Sequence, residues 1–387
     1  MTPGSEGSLN AAAKAPALTT DFDRQVYLLM GLPVDALTVT QALDSLRQSI
    51  VTGTRCFLST PNLNFVVNAM RDPHFRDSVI DSDLVLADGM SLIWAARLLG
   101  VPLPERLAGS SLLSQLPEPA PRQRSIKVYF FGGAPGVAQR ACHALAARAP
   151  GLTGAGWHTP GFVNAWEASD DAVLSAINAE QPDVVLVSLG AQKGQAWIQL
   201  NRQKLEAPVI CHLGAAMNFI AGTITRAPMW MQRTGLEWVW RILQEPPLVK
   251  RYWLDGWSFA AKLPTHLLPL FCHYLASRWV KAASNPLRLE VAELGDKGIQ
   301  ASVVGAAIKT DLTAVRDIFK RLCALRSQTI KIDLKHCIDV DACFLGLLAL
   351  LLKHQRSVGH QLLVCDPSPK VKRLFRLHSA EYLLTLS

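Results

Sequence analysis

Lys127-Val-Tyr-Phe-Phe131-Gly132-Gly133-Ala134-Pro135-Gly136 is the stretch whose reading decides the fold. A short, mostly apolar run of strand-forming residues ends on two glycines, and Val137–Arg148 continues with helical periodicity. A buried strand that turns through glycines straight into a helix is the repeating unit of a parallel sheet, whose strands are apolar on both faces and need helical crossovers. The unit recurs along the chain. Strands are expected at Gln25–Met30, Arg55–Ser59, Leu84–Ala87, Asp183–Ser188 and Val209–His212. Helices are expected at Thr38–Val51, Leu63–Met70, Ser91–Leu99, Ala168–Ala179 and Gly194–Leu205. The fold class is therefore α/β, a Rossmann-like parallel sheet.

The chain's 387 residues, 49% of them hydrophobic, exceed what one core holds, so more than one domain is expected. A net charge of +8 calls for an anionic partner, whether nucleic acid, nucleotide or acidic lipid. Eight cysteines without a CxxC pair or a zinc-type histidine spacing read as reduced core thiols. His158 and His212 stand alone, with no metal set around them. Residues 1–24 lack apolar periodicity and read as a disordered tail without a secretory signal, which places the catalytic part on the cytoplasmic side. No apolar run reaches the ~18 residues of a spanning helix; Leu263–Val280 is interrupted by Pro264, His266, Pro269, His273 and Arg278.

In parallel sheets, ligands bind outside the carboxyl ends of the strands. There the sequence places Thr60 and Asn62, Asp88-Gly89, the Gly132-Gly133 loop, and Gly190 to Lys193. Asp88 is either a general base beside a glycine that admits a ligand, or part of a turn. Thr60 and Asn62 either position sugar hydroxyls or cap the following helix. The glycine loop either cradles a diphosphate on backbone amides or turns tightly. Arg106 contacts an anion or is a solvated charge, and Ser110 or Ser111 caps a helix.

The segment Gly222–Trp253 interleaves cations with wide aromatic rings. From Arg226 to Lys281 it carries eight cations against three acids, and six of the ten tryptophans. Lys250, Arg251, Trp253 and Trp257 suit the headgroup layer of an anionic leaflet; the other reading is a helical lid with buried tryptophans, and different faces can serve both. The basic residues follow no nucleic-acid motif, so no nucleic-acid partner is expected.

These motifs, in order, resemble the WecG/TagA/CpsF glycosyltransferase family: Ser59-Thr-Pro-Asn62, Leu86-Ala-Asp-Gly-Met90, Leu189 to Trp197, Gly214-Ala-Ala216, and Ala221-Gly-Thr223 through Arg226-Ala-Pro228 to Gly235-Leu-Glu-Trp238. The resemblance covers about residues 26–253. It implies an inverting, metal-independent transferase without cofactor that moves an N-acetylmannosamine-type sugar, its uronate or a related hexose. The donor would be a UDP-sugar and the acceptor a polyprenyl-diphosphate-linked saccharide, at the inner face of the cell membrane, in cell-surface polysaccharide synthesis. On that pattern Asp88 is the base, with Thr60 and Asn62 beside it. Arg226 and Arg233 match the family's arginines and would hold the leaving diphosphate, with Arg241 a further candidate without equal support; Gly190, Lys193 and Gln195 fall in the matched loop, and with Gly132, Gly133 and Arg106, read above from their positions, are expected to line the substrate site. Members form oligomers, so a homo-oligomer is expected. Two departures stand out: the family's glutamine expected to meet the nucleotide sugar is Gly194 here, with Gln195 at an acidic position, and an expected aspartate is Asn218. They motivate the alternative of a degenerate transferase acting as a membrane-associated scaffold.

After Ser284-Asn-Pro286 the pattern resets. Strands at Leu287–Val291, Ile299–Val304, Thr329–Leu334 and Gln361–Cys365, and helices at Asp311–Leu325, Asp341–His354 and Lys370–Leu377, resemble a STAS domain, most clearly at Ile332-Asp-Leu334, Val340-Asp341 and Gly346-Leu-Leu348. Ala342 and Cys343 stand where regulatory members carry Ser or Thr, so a hydroxyl phosphoswitch is excluded there; a binding module for a protein partner or for the transferase domain itself remains, or else a packing appendage. The expected division is tail 1–24, transferase core 25–225, basic and aromatic helical appendage 226–284, and STAS-like domain 285–387.

Overall fold

A computed structural model of the chain describes residues 21–117, 125–161, 163–279, 287–293, 298–308, 312–325 and 329–384. Lys281, the expected boundary at 284 and the tail up to residue 20 lie outside them. Residues 21–24, assigned above to the tail, are part of the fold: Asp21–Asp23 form a 3-10 turn with Phe22 fully buried, and Arg24 pairs with buried Asp35 at 2.7 Å.

The first expected strand takes no part in the parallel sheet. Val26–Leu29 (β1) and Leu32–Asp35 (β2) form an antiparallel hairpin, reversed at Met30 and Gly31, both at positive φ. Helix α1 (Val39–Thr52) starts on a capping box between Thr38 and Gln41. The sheet then opens with β3 (Cys56–Ser59). Next come α2 (Leu63–Arg71), α3 (Pro73–Ile80), β4 (Leu84–Val85), α4 (Met90–Leu98), α5 (Gly109–Gln115), β5 (Ile126–Gly132), α6 (Val137–Arg148) and β6 (Leu152–His158). Then follow α7 (Asp171–Ala179), β7 (Val184–Ser188), α8 (Ala191–Asn201), β8 (Val209–His212) and α9 (Gly214–Ala221).

The six strands are parallel, in the order β4-β3-β8-β7-β5-β6. Alternate residues feed two cores: Leu58, Val128, Phe130, Leu186 and Cys211 face α1, α6 and α9, while Phe57, Phe131, Val185, Val187 and Ile210 face α7 and α8. No strand was expected at β6. Its two glycines are needed for close packing, since a Cβ on Gly154 would lie 2.3 Å from the Cys142 sulfur and one on Gly156 2.7 Å from the Tyr129 ring.

The appendage is helical: α10 (Met229–Thr234), α11 (Glu237–Gln244), α12 (Leu248–Lys262), a π turn at Leu263–Leu267 and α13 (Leu268–Trp279). Among the described residues no helix is long and apolar enough to cross a membrane.

The C-terminal unit is a second sheet. Its elements are β9 (Arg288–Glu293), β10 (Ile299–Ala307), α14 (Leu312–Ala324), β11 (Thr329–Asp333), β12 (Cys337–Val340), α15 (Ala342–Ser357), β13 (Gln361–Cys365) and α16 (Pro369–Leu377). The parallel strands run β12-β10-β11-β13, with β9 antiparallel on β10. Asp341 caps α15 through the Cys343 and Phe344 amides.

This unit does not stand apart. One hydrophobic core runs from the β1–β2 hairpin and α2–α4 into α14, α15 and α16. α15 lies so close to β1 that a Cβ on Gly346 would come within 2.5 Å of the Val26 carbonyl oxygen. Arg316 donates to the Phe22 and Arg24 carbonyls at 2.7 and 2.6 Å, and Tyr382 donates to the Gly31 carbonyl at 3.1 Å.

Candidate active site

The carboxyl edge of the sheet gathers the site at the ends of β3, β4 and β8. The Asp88 amide donates to the Pro61 carbonyl at 2.9 Å, tying the loop after β4 to the loop after β3. Gly89 permits this approach, because a Cβ there would lie 3.3 Å from Asn62 Cα. The Leu107 amide on the Ala87 carbonyl, also 2.9 Å, draws the Arg106 loop alongside. Thr60 is buried and its hydroxyl reaches the His212 carbonyl at 3.4 Å. Asn62 Oδ1 accepts from the Asn64 and Phe65 amides, so its carbonyl oxygen caps α2.

Asp88 stands at this edge of the sheet with about 32% of its side chain accessible. Arg106 Nε is 3.7 Å from Asp88 Oδ1, while its Nη2 donates to Glu237 of α11 at 2.5 Å. Burial pushes the Asp88 carboxyl up to about 6; Arg106 opposes this, Glu237 adds to it, and Arg226 and Arg241 oppose it more weakly. A carboxylate so placed is a proton acceptor near neutral pH, held among fixed positive charges. Its protonated form cannot accept a proton, so kcat/KM is expected to fall about tenfold per pH unit below pH 6. A pH–rate profile with no acid limb between pH 5 and 7 would contradict this.

Arg226 follows the C-cap of α9 and donates to the Ser110 and Ser111 hydroxyls of α5, the latter at 3.1 Å. Those serines bind an arginine rather than capping the helix, whose N-cap is Ala108. Gln244 of α11 brackets Arg226 by pairing with both backbone groups of Thr225, at 2.8 and 2.9 Å. Arg226 and Arg241 both lie over the Phe219 ring, 5.6 and 5.7 Å from its centroid, and Arg241 also pairs with Glu245. Ser110, Ser114, Arg148, Phe219 and Arg226 line a pocket of about 270 Å³. Two guanidinium groups and two hydroxyls beside an aromatic wall can hold an anion next to an apolar group.

Gly132 and Gly133 lie at the end of β5 with positive φ, the Gly133 amide donating to the Ser188 carbonyl at 2.7 Å. Gly190 begins α8 in open space. Lys193, on the first turn of α8, is exposed and reaches the Val163 carbonyl at 3.5 Å. Two expected residues stand elsewhere. Gln195 is fully buried, donating to Ser59 and accepting from Ser78, and does not face the cleft. Arg233 is exposed in the last turn of α10 and is not among the charges acting on Asp88. Glu237 and Arg148 were not singled out by sequence. Glu237 had a signal, as an acid within an otherwise basic and aromatic motif.

The structure also accounts for Gly194. A Cβ there would lie 2.2 Å from His212 Cδ2, so the imidazole fills the space that the family's glutamine would enter. His212 is buried against Phe65, and burial lowers its pKa to about 4, so the ring is neutral. Gly194→Gln is accordingly expected to cost about 1–3 kcal/mol through overpacking, read as a lower midpoint in thermal or urea unfolding, and Gly194→Gln/His212→Ala to recover part of it.

On the appendage, Asp255 is buried and accepts from Asn64 Nδ2 of α2 at 3.0 Å, docking α12 beside the cleft. All three acids of the segment are thus engaged: Glu237 with Arg106, Glu245 with Arg241, Asp255 with Asn64. Lys250, Trp253, Leu254 and Trp257 form one outward stripe at helical spacing, with Trp253 74% and Trp257 71% exposed. Arg251 is exposed next to it.

A carboxylate among guanidinium groups outside the carboxyl edge of a parallel α/β sheet is an arrangement that suits group transfer. The chain belongs to the glycosyl transferase WecG/TagA/CpsF family, whose sequence profile matches residues 27–269, and it is a glycosyltransferase. It is similar to the N-acetylglucosaminyldiphosphoundecaprenol N-acetyl-beta-D-mannosaminyltransferase of Bacillus spizizenii, 28% identical over 221 residues, spanning 57% of this chain and 80% of that protein. The enzyme of the same name from Staphylococcus aureus is 26% identical over 233 residues, 60% of this chain and 85% of the relative.

Proposed function

We propose that the protein transfers an N-acetylmannosamine-type sugar, its uronate or a related hexose from a UDP donor to a polyprenyl-diphosphate-linked saccharide, with inversion and without a metal. The observation that carries this reading is Asp88, a carboxylate just beyond the end of β4 with Arg106 Nε 3.7 Å away and the charges of Arg226 and Arg241 acting on it more weakly. Asp88 takes the proton of the acceptor hydroxyl. That oxygen bonds to the anomeric carbon from the face opposite the diphosphate, the carbon–oxygen bond to the β-phosphate breaks, and UDP leaves as the anion. Arg226 and Arg148, which line the pocket, and Arg241 beside Phe219 offset the charge that develops on the diphosphate. Thr60, the Asn62 side-chain amide and the loops at Gly132–Gly133 and Gly190 orient the sugar and nucleotide. Supplying a panel of UDP-sugars with a polyprenyl-diphosphate-GlcNAc analogue and measuring UDP release tests it. No turnover with any donor would sink the reading in favour of the scaffold.

The reading places the enzyme at the inner face of the cell membrane. The acids of the appendage are engaged, Asp255 by burial against Asn64 and Glu237 and Glu245 by arginines, which leaves the exposed stripe of α12 cationic and aromatic, as a headgroup layer requires. Lys250→Glu/Arg251→Glu/Trp253→Ala is expected to lose most binding to acidic liposomes in flotation; wild-type recovery would refute the membrane contact. The C-terminal unit is read as STAS-like from its order of strands and helices, with Ala342 and Cys343 following the cap. Most of α15 is buried in this chain, so a protein partner would engage another face of the unit. A homo-oligomer belongs to the same reading.

A further inference from the structure

We infer that the C-terminal unit is a working part of the transferase site, and that Lys353 on α15 is a positioning residue acting on Asp88 through Asp83 and β4. The inference rests on the proposed role of Asp88 as base.

β4 has two strand residues, Leu84 and Val85, and only three residues, Val85, Leu86 and Ala87, separate its start from Asp88. It is the edge of the sheet, paired on one side with β3. A strand that short cannot fix the direction of the loop beyond it by ladder bonds alone. Two carboxylates supply the rest. Asp83 Oδ2 accepts from the Phe57 amide of β3 at 2.9 Å, while the Asp83 amide donates to the Phe57 carbonyl, also at 2.9 Å. Asp35 of the hairpin accepts from the Val85 amide at 2.7 Å, satisfying the open edge of β4.

Both carboxylates are held from the C-terminal unit. Lys353 Nζ lies 2.7 Å from Asp83 Oδ1 and 3.1 Å from the Ser82 carbonyl, gripping both residues before β4. Its third contact is Asp21 Oδ2, at 3.0 Å. Asp35 is paired with Arg24, whose carbonyl is in turn bound by Arg316 of α14. α15 and α14 therefore hold the strand that delivers Asp88 by two separate routes. A base displaced by about 1 Å from its productive position can lose on the order of 10²-fold in rate, so a contact remote from the reacting atoms can govern turnover.

Lys353→Met tests this in the full chain. The Lys353 side chain is 11% exposed but Asp83 is 38% exposed, so water can solvate the carboxylate left behind and the fold is expected to persist. Asp83→Asn is the companion variant, since it keeps an acceptor for the Phe57 amide while an amide NH2 replaces the oxygen that accepts from Lys353. Expected for both are a kcat lowered roughly tenfold or more with the UDP-sugar KM within about twofold of wild type, and faster amide exchange confined to residues 82–92. Lys353→Arg, which restores the charge and the donors, should recover both readouts. Unchanged exchange in 82–92 overturns the inference whether or not the protein turns over. So does a kcat within about twofold of wild type in Lys353→Met. Absence of turnover in the wild type, with faster exchange in the variant, would instead reject the proposed reaction and leave the positioning contact standing.

Discussion

Asp88→Asn is expected to lower kcat by roughly 10²–10⁴-fold while leaving donor binding largely in place. The substitution preserves shape and removes the carboxylate, whose ion-pair partner Arg106 stands 3.7 Å away; Arg106 keeps Glu237 as its partner. Its effect on stability has the opposite sign to that of an ordinary paired carboxylate. The folded pKa, about 6, lies above the unfolded value near 3.9, so the fold binds the proton more tightly. Stability is then lost as pH rises from about 4 to 6, and the ionised group disfavours the fold above that. Asp88→Asn should therefore melt at the same or a higher temperature than wild type at pH 8, with the difference vanishing near pH 4. Calorimetry at the two pH values, beside UDP-release kinetics, checks both halves. A variant with near wild-type kcat would remove Asp88 from the mechanism.

Deleting the C-terminal unit after residue 284 is the second change with a large expected effect: the remaining chain should be insoluble or should lack cooperative unfolding. Val26, Leu28, Leu32 and Val34 of the hairpin are fully buried in the core that α14, α15 and α16 complete. Complete burial of each such side chain is worth ~1.5–3 kcal/mol, against a typical net stability of ~5–15 kcal/mol. Uncovering several at once, together with the Phe22 turn, removes a large fraction of that margin. By the same argument the full chain should unfold in one calorimetric transition. A soluble 1–284 fragment with wild-type melting would show that the shared core is dispensable.

The transferase sheet was readable because buried parallel strands are continuous apolar runs, and α6 occupies the Val137–Arg148 range that periodicity marks. The hairpin was not, since its reversal rests on Met30 and Gly31 and its packing partner, α15, lies some three hundred residues away in sequence. β12, only four residues long, carried too little pattern to separate from a loop. Strand ends pointed to Asp88, Thr60 and Asn62. The choice among Arg226, Arg233 and Arg241 was harder, because it depends on how α10 and α11 are rotated against α5 and α9. Gln195 illustrates the limit: its neighbours in sequence belong to a site motif, yet its place on α8 turns it toward Ser59 and Ser78.

The docking of α12 on α2 through Asp255 and Asn64 also sets a height. The outward stripe of α12 and the loop carrying Asn62, which adjoins Asp88, are separated by about one helix diameter, ~10–12 Å. On the proposed membrane contact, with that stripe at the headgroups, Asp88 would stand at a fixed elevation above the phosphate plane. The enzyme would then measure its acceptor as a ruler does, accepting the hydroxyl that a short saccharide lifts to that level and passing over one that a longer chain carries beyond it.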